Sequence, residues 1–150
     1  MHCFYLLFRS MAELYPTRLD EYCKLKQLSF FELKIPCVFC KFDVSLQGLA
    51  DFFMKDLCLL WKNNICFACC PPCLKLTARY ERENYFQCSV KCDVIEGLLN
   101  VPLSKLTVRC IECYKKLDYV EKIQCCIQDL DFCLIRCHWK NYCRHCKHLK

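Results

Sequence analysis

The sequence predicts an α+β protein made of two small domains that repeat one plan and are joined by a helix. Three observations carry that prediction. First, cysteines recur on a ruler: Cys37 and Cys40 are followed by 29 residues, Lys41 to Cys69, and then by Cys70 and Cys73. After 36 residues come Cys110 and Cys113, another 29 residues, and Cys143 and Cys146, so that the two sets coincide at a constant offset of 73. Second, the stretch inside the first set reads as a helix followed by an apolar hairpin. Third, the stretch from Leu74 to about Val90, which follows the first set, contains no Gly or Pro and is rich in helix formers.

Two thiolates two residues apart fit one side of a tetrahedral Zn²⁺, and a second pair returned by the intervening chain completes the shell. The repeat therefore predicts two Zn²⁺ per chain, the first held by Cys37, Cys40, Cys70 and Cys73 and the second by Cys110, Cys113, Cys143 and Cys146. A fifth pair, Cys66 and Cys69, tests the register. Its equivalents in the second half are Trp139 and Tyr142, which cannot ligate, so only the Cys70/Cys73 choice repeats.

The expected domains are residues 11–73 and 91–150, each a few short helices and a small antiparallel sheet, with 74–90 as the linking helix. Residues 1–10 share no pattern with the rest and read as an N-terminal extension, with Met11 as an alternative start. Thr17 is an expected N-cap for a helix over 18–26 that places Leu19, Tyr22 and Cys23 on one face. Residues 30–35 are expected as a strand that Pro36 ends just before the first ligands. Leu49, Phe52, Phe53 and Leu57 recur at helical spacing, predicting a helix over 49–56. The apolar runs 57–61 and 65–68, separated by Lys62-Asn63-Asn64, read as a hairpin. Residues 74–90 are expected to be helical, and a further helix is expected over 93–99, closed by Asn100 and Pro102. In the second domain Cys125, Cys126 and Cys133 align with Phe52, Phe53 and Leu60, which reads them as small buried hydrophobes instead of ligands.

Composition narrows the class. Nineteen cysteines in 150 residues could signal a secreted disulfide scaffold. Three features oppose it: the count is odd, Cys-x2-Cys pairs close poor disulfide loops, and the apolar run Cys3 to Phe8 is short for an export signal and has no Lys or Arg before it. A reducing intracellular compartment is expected, and no stretch approaches the ~20 apolar residues of a membrane span. The formal charge of +6 falls to about +2 once eight thiolates and two dications are counted. That is a weak basis for nucleic-acid binding, although the tail keeps Lys140, Arg144, Lys147 and Lys150. Four thiolates per zinc leave no open position for water or substrate, and no serine-nucleophile, phosphate-loop or paired-carboxylate pattern is present, so an enzyme is not expected.

The paired modules, together with Ile35-Pro36-Cys37-Val38-Phe39-Cys40, Leu60-Trp61-Lys62-Asn63-Asn64, Arg109-Cys110 and Arg136-x-x-Trp139, resemble the papillomavirus early protein six, a small zinc-binding oncoprotein, and look more like its cutaneous types. The resemblance runs from Met11 to Cys146. It implies an adaptor whose two zinc domains and linking helix clasp an acidic Leu-x-x-Leu-Leu helix of a host protein, either a HECT-type ubiquitin ligase or a Mastermind-type coactivator. Carried onto this sequence, the apolar walls are Val38, Phe39, Leu57, Cys58, Leu60, Leu74, Thr77 and Ala78, and the rim cations are Lys62 and Arg109. His138 stands where family members often carry Arg, which implies a weaker or pH-sensitive polar clamp. The resemblance also implies altered host protein degradation, apoptosis, transcription and innate immunity, residence in the host nucleus and cytoplasm, and pro-apoptotic Bak and a second copy of the chain as further partners. The chain stops four residues after Cys146, so the C-terminal Thr-x-Val/Leu motif read by PDZ domains is not expected. The alternative from another class is a zinc-finger nucleic-acid-binding regulator.

Overall fold

The computed structural model describes residues 15–149; the expected N-terminal extension and the alternative start lie outside them. The chain divides after Cys70 into two compact units, the first ending at Cys70 and the second spanning Pro71–Lys150. Both are α+β.

In the first unit, α1 (Leu19–Lys26) is followed by a 3-10 turn at Phe30–Glu32, α2 (Leu46–Met54), β1 (Leu60–Lys62) and β2 (Ile65–Phe67). The hairpin is antiparallel, with Trp61 opposite Cys66. Its turn residues Asn63 and Asn64 have φ of 50° and 64°, the left-handed pair that matches strand twist in a two-residue turn and that Asn tolerates. The buried core comprises Leu19, Leu33, Ile35, Val44, Leu49, Phe52 and Leu59.

In the second unit α3 (Pro71–Asn84) leads into β3 (Phe86–Val90), α4 (Cys92–Leu99), β4 (Arg109–Cys110), α5 (Tyr119–Ile127), β5 (Phe132–Ile135) and β6 (His138–Asn141). The four strands form one sheet in the order β3-β5-β6-β4. Only the β4–β6 pair is parallel. Ile95, Leu103, Val108, Leu117, Cys125 and Phe132 pack with the ligands Cys110, Cys143 and Cys146 in one cluster.

The offset of 73 holds for the backbone as well as for the thiols. Adding it to α1 gives α4, and adding it to α2 gives α5, end for end. All ten non-glycine residues with positive φ in the described chain fall into five pairs at that offset: Gln27 and Asn100, Lys41 and Tyr114, Asp56 and Asp129, Asn63 and Arg136, Asn64 and Cys137. The bridge Pro36–Asp43 has its counterpart in Arg109–Lys116, and the parallel bridge Cys37–Ala68 in Cys110–Asn141.

Several local expectations are corrected. Helix α1 begins one residue late, with Arg18 and not Thr17 as N-cap. Residues 30–32 wind into a 3-10 turn in place of a strand, because Ser29 and Glu32 close a reciprocal capping box. Helix α2 starts three residues early, where Ser45 Oγ accepts the Gly48 N–H, and ends at Met54. Helix α3 stops at Asn84, so the expected helix over 74–90 is cut short. Phe86–Val90 is taken up instead as an edge strand paired with β5, in keeping with its alternation of apolar and polar residues. Helix α4 begins at Cys92 and not at 93. Cys126 is not a lone hydrophobe: it is disulfide-bonded to Cys92, joining α4 to α5 with Cα atoms 5.4 Å apart. Their equivalents in the first unit are Leu19 and Phe53.

Candidate metal centres and the proposed peptide surface

The eight predicted thiols come together in two groups of four, Cys37, Cys40, Cys70 and Cys73, and Cys110, Cys113, Cys143 and Cys146, with all sulfurs of a group within 4.8 Å of one another. Cys40 and Cys70 sulfurs are 3.8 Å apart, as are those of Cys113 and Cys143. Zn–S bonds of ~2.3 Å directed to tetrahedral corners put sulfurs ~3.8 Å from each other, so the donor sets fit two Zn²⁺ ions.

Each first pair sits in a tight loop. The Cys37 N–H donates to Phe42 O and Lys41 N–H returns to Cys37 O, at 2.8 and 3.0 Å, and the same bonds join Cys110 to Lys115 and Tyr114 to Cys110, at 2.7 and 3.0 Å. Each second pair is tied back to the first: Cys70 N–H donates to Cys37 Sγ and Cys143 N–H to Cys110 Sγ, both at 3.5 Å. Burial opposes ionisation of Cys37, but backbone N–H groups of Cys70, Cys40 and Phe39 outweigh it and hold this thiol at about 6. In the second group the hydrogen bond that the Cys110 thiol donates to Cys113, together with burial, pushes Cys110 up instead. Clustered thiols resist joint ionisation, and a dication at the centre removes that conflict. Among the spare thiols, burial pushes Cys66 and Cys69 up to about 12.

Around the second centre lies a polar network that the spacing argument missed. Glu121, 1% exposed, accepts the Arg144 N–H at 2.8 Å and the Lys115 ammonium at 3.1 and 3.2 Å. It also accepts the Asp118 N–H at 3.1 Å, completing a capping box on α5. Burial opposes its ionisation, yet the N–H groups of Arg144 and Asp118 and the Lys115 ammonium outweigh burial and lower its pKa. The visible signal was Asp118-x-x-Glu121 ahead of an apolar run. On α3, Arg82 pairs with Glu112 inside the Cys110–Cys113 loop.

The residues carried over for peptide binding divide by exposure. Val38, Leu57, Leu74 and Ala78 are buried; Cys58, Leu60, Thr77, Arg109 and His138 are half-buried; Phe39, at 58%, and Lys62 are exposed. Thr77 Oγ1 donates to Cys73 O at 2.9 Å on the first turns of α3. Arg109 donates to Tyr114 O at 2.8 Å, which places its guanidinium against the second centre's first ligand loop. His138 stands opposite Ile135 at the start of β6.

Two closed four-thiolate centres on a duplicated α+β plan define a small tandem zinc-binding protein. A family model described as Early Protein (E6) matches residues 37–146. Protein E6 of human papillomavirus type 60 is 49% identical over 132 residues, 88% of this chain and 93% of that protein. Protein E6 of human papillomavirus type 48 is 47% identical over 136 residues, 91% of this chain and 96% of that one. The corresponding protein of human papillomavirus 65 is 43% identical, with 91% and 97% covered. The chain belongs to the E6 family of papillomavirus early proteins.

Proposed function

We propose that the chain is a non-catalytic adaptor of the host cell that captures acidic Leu-x-x-Leu-Leu helices. The observation that carries this reading is the donor set: with four thiolates on each metal, neither centre offers a coordination site to substrate, so the metals serve to hold binding surfaces in shape. Family membership makes host proteins the partners. A HECT-type ubiquitin ligase and a Mastermind-type coactivator are the proposed ones, with effects on protein degradation, apoptosis, transcription and innate immunity in nucleus and cytoplasm. In the first unit half-buried Cys58 and Leu60 and exposed Phe39 supply apolar area and Lys62 a cation for an acidic helix; in the second, half-buried Thr77 and Arg109 supply the like. Val38 and Leu57 are buried in the first unit and Leu74 and Ala78 in the second.

The test titrates the zinc-loaded protein with a labelled acidic Leu-x-x-Leu-Leu peptide and, separately, with duplex DNA. Saturable peptide binding that Phe39→Glu and Leu60→Glu weaken while both zinc ions are retained supports the adaptor. Tight DNA binding with a steep salt dependence and no peptide response supports the nucleic-acid reading instead. The buried Leu57 is a poor probe, since a charge there would damage the first unit itself.

A further inference from the structure

The two metal centres share a backbone but not their surroundings. In the second, the Glu121 carboxylate lies under both ligand loops: one oxygen accepts the Arg144 N–H, between Cys143 and Cys146, at 2.8 Å, and both accept the Lys115 ammonium at 3.1 and 3.2 Å. Lys115 in turn accepts the Cys110 N–H on its carbonyl at 2.7 Å, closing the first ligand loop. The Arg144 side chain reaches back to Asp118 at the N-cap of α5. The carboxylate thus fastens both loops to one helix from a site that water does not reach. At the offset of 73 the first centre has Phe42 for Lys115, Gly48 for Glu121 and Pro71 for Arg144. All three parts are missing there. Phe42 carries no charge and is 78% exposed, Gly48 has no side chain, and Pro71 has no N–H to donate.

We propose that Glu121 is a positioning residue for the second metal centre, which makes that centre hold Zn²⁺ more tightly and release it more slowly than the first. Partners outside the ligand shell that orient the ligands typically change metal affinity by about 10- to 100-fold. The missing partner in the first unit predicts an asymmetry of that order within one chain.

The experiment follows zinc transfer from the full-length, two-zinc protein to a chromophoric chelator. Wild type should release its metal in two phases of equal amplitude, separated about 10-fold or more. Glu121→Gln, which keeps the shape but loses the charge that holds Lys115, should accelerate only the slow phase. Glu121→Gly, which copies Gly48, should merge the two phases. Lys122→Met is the control: it disturbs the next residue of α5 without touching either ligand loop, and should lower the melting temperature without changing the slow phase. A single phase in wild type, an unchanged slow phase in Glu121→Gln, or equal acceleration by Lys122→Met would each overturn the assignment. Should Glu121→Gly fail to fold, the Gln variant and the control decide the matter alone.

Discussion

Leu49 and Lys122 occupy one position of the repeat, and both are buried. Leu49 fills the first unit's core. Lys122 instead extends its ammonium to Leu103 O at 3.0 Å and also binds Leu106 O. The same exchange of means recurs at a second pair. In the first unit the Lys41 ammonium lies 4.6 Å from the centre of the Phe67 ring, while in the second the Lys140 ammonium lies 4.1 Å from the Tyr114 ring. Tyr114 is the equivalent of Lys41 and Lys140 that of Phe67, so cation and ring have changed places and the contact has survived. Duplicated backbones thus tolerate opposite chemistry where the buried ammonium groups of Lys122 and Lys140 keep partners. The first unit is the more apolar solution and the second the more polar one.

The largest expected effect removes what the units have in common. Cys37→Ser should cost the first unit its metal and its fold, and Cys110→Ser should do the same to the second, leaving about one zinc per chain in either case. Structural Zn²⁺ contributes on the order of 10 kcal/mol or more, which exceeds the whole stability of a small domain. Elemental analysis and amide exchange mapped onto each unit would check this. Loss of both metals from either single variant would show that the units do not fold independently.

The next effect separates them. Lys122→Met leaves two backbone carbonyls without their ammonium and should destabilise the second unit by about 1–3 kcal/mol, measured by chemical denaturation of the zinc-loaded protein. Leu49→Met at the equivalent position, an exchange of similar volume, should cost less than about 1.5 kcal/mol. Comparable losses from the two would refute the claim that the units are stabilised by different means.

How far this architecture could be read in advance depended on what each feature answers to. Ligand spacing is dictated by the metal and by a fixed chain path between pairs, so Cys37 through Cys146 were legible residue by residue, as was the hairpin turn at Asn63-Asn64. Features set by contacts distant in sequence were not. Phe86-Gln87-Cys88-Ser89-Val90 does alternate apolar and polar residues, but its place at the edge of the sheet is supplied by pairing with β5, and Cys92 and Cys126 are 34 residues apart with only the packing of α4 on α5 to join them. The Ser29–Glu32 and Asp118–Glu121 capping boxes lie between these cases: both patterns stand in the sequence, but neither is apparent beside the stronger cysteine signal.

A third prediction sharpens the comparison through pH. Cys66 is buried in β2 where the second unit has Trp139, and burial pushes its thiol up to about 12, an effect the nearby Lys26 only partly offsets. A thiol whose pKa is raised on folding contributes stability that is fully present below its unfolded value of about 9 and is lost as pH rises through the folded value. The first unit should therefore weaken between about pH 9 and 12, and Cys66→Val should flatten that decline. Thermal melts of wild type and variant at pH 8 and pH 10.5 would test it; parallel curves would place the alkaline sensitivity elsewhere.

The smallest effect concerns an ion pair that both units keep. Arg18 meets Asp56 at 2.9 Å, and at the offset of 73 Lys91 meets Asp129 at 3.6 Å, all four side chains being well exposed. The repetition invites the idea that the pair stabilises each unit, but exposed pairs contribute about 0–1 kcal/mol. Both aspartates also have φ of 54°, a left-handed conformation that Asp and Asn adopt far more readily than branched residues. Backbone conformation is therefore the stronger reason for an aspartate at this corner, directly after each helix. Asp56→Asn and Asp129→Asn should change stability by less than about 0.5 kcal/mol, since they keep the φ preference and lose only the charge. Asp56→Val and Asp129→Val should each cost about 1–2 kcal/mol. Equal losses from Asn and Val would mean that the ion pair, and not the turn it sits on, has held this corner through both copies.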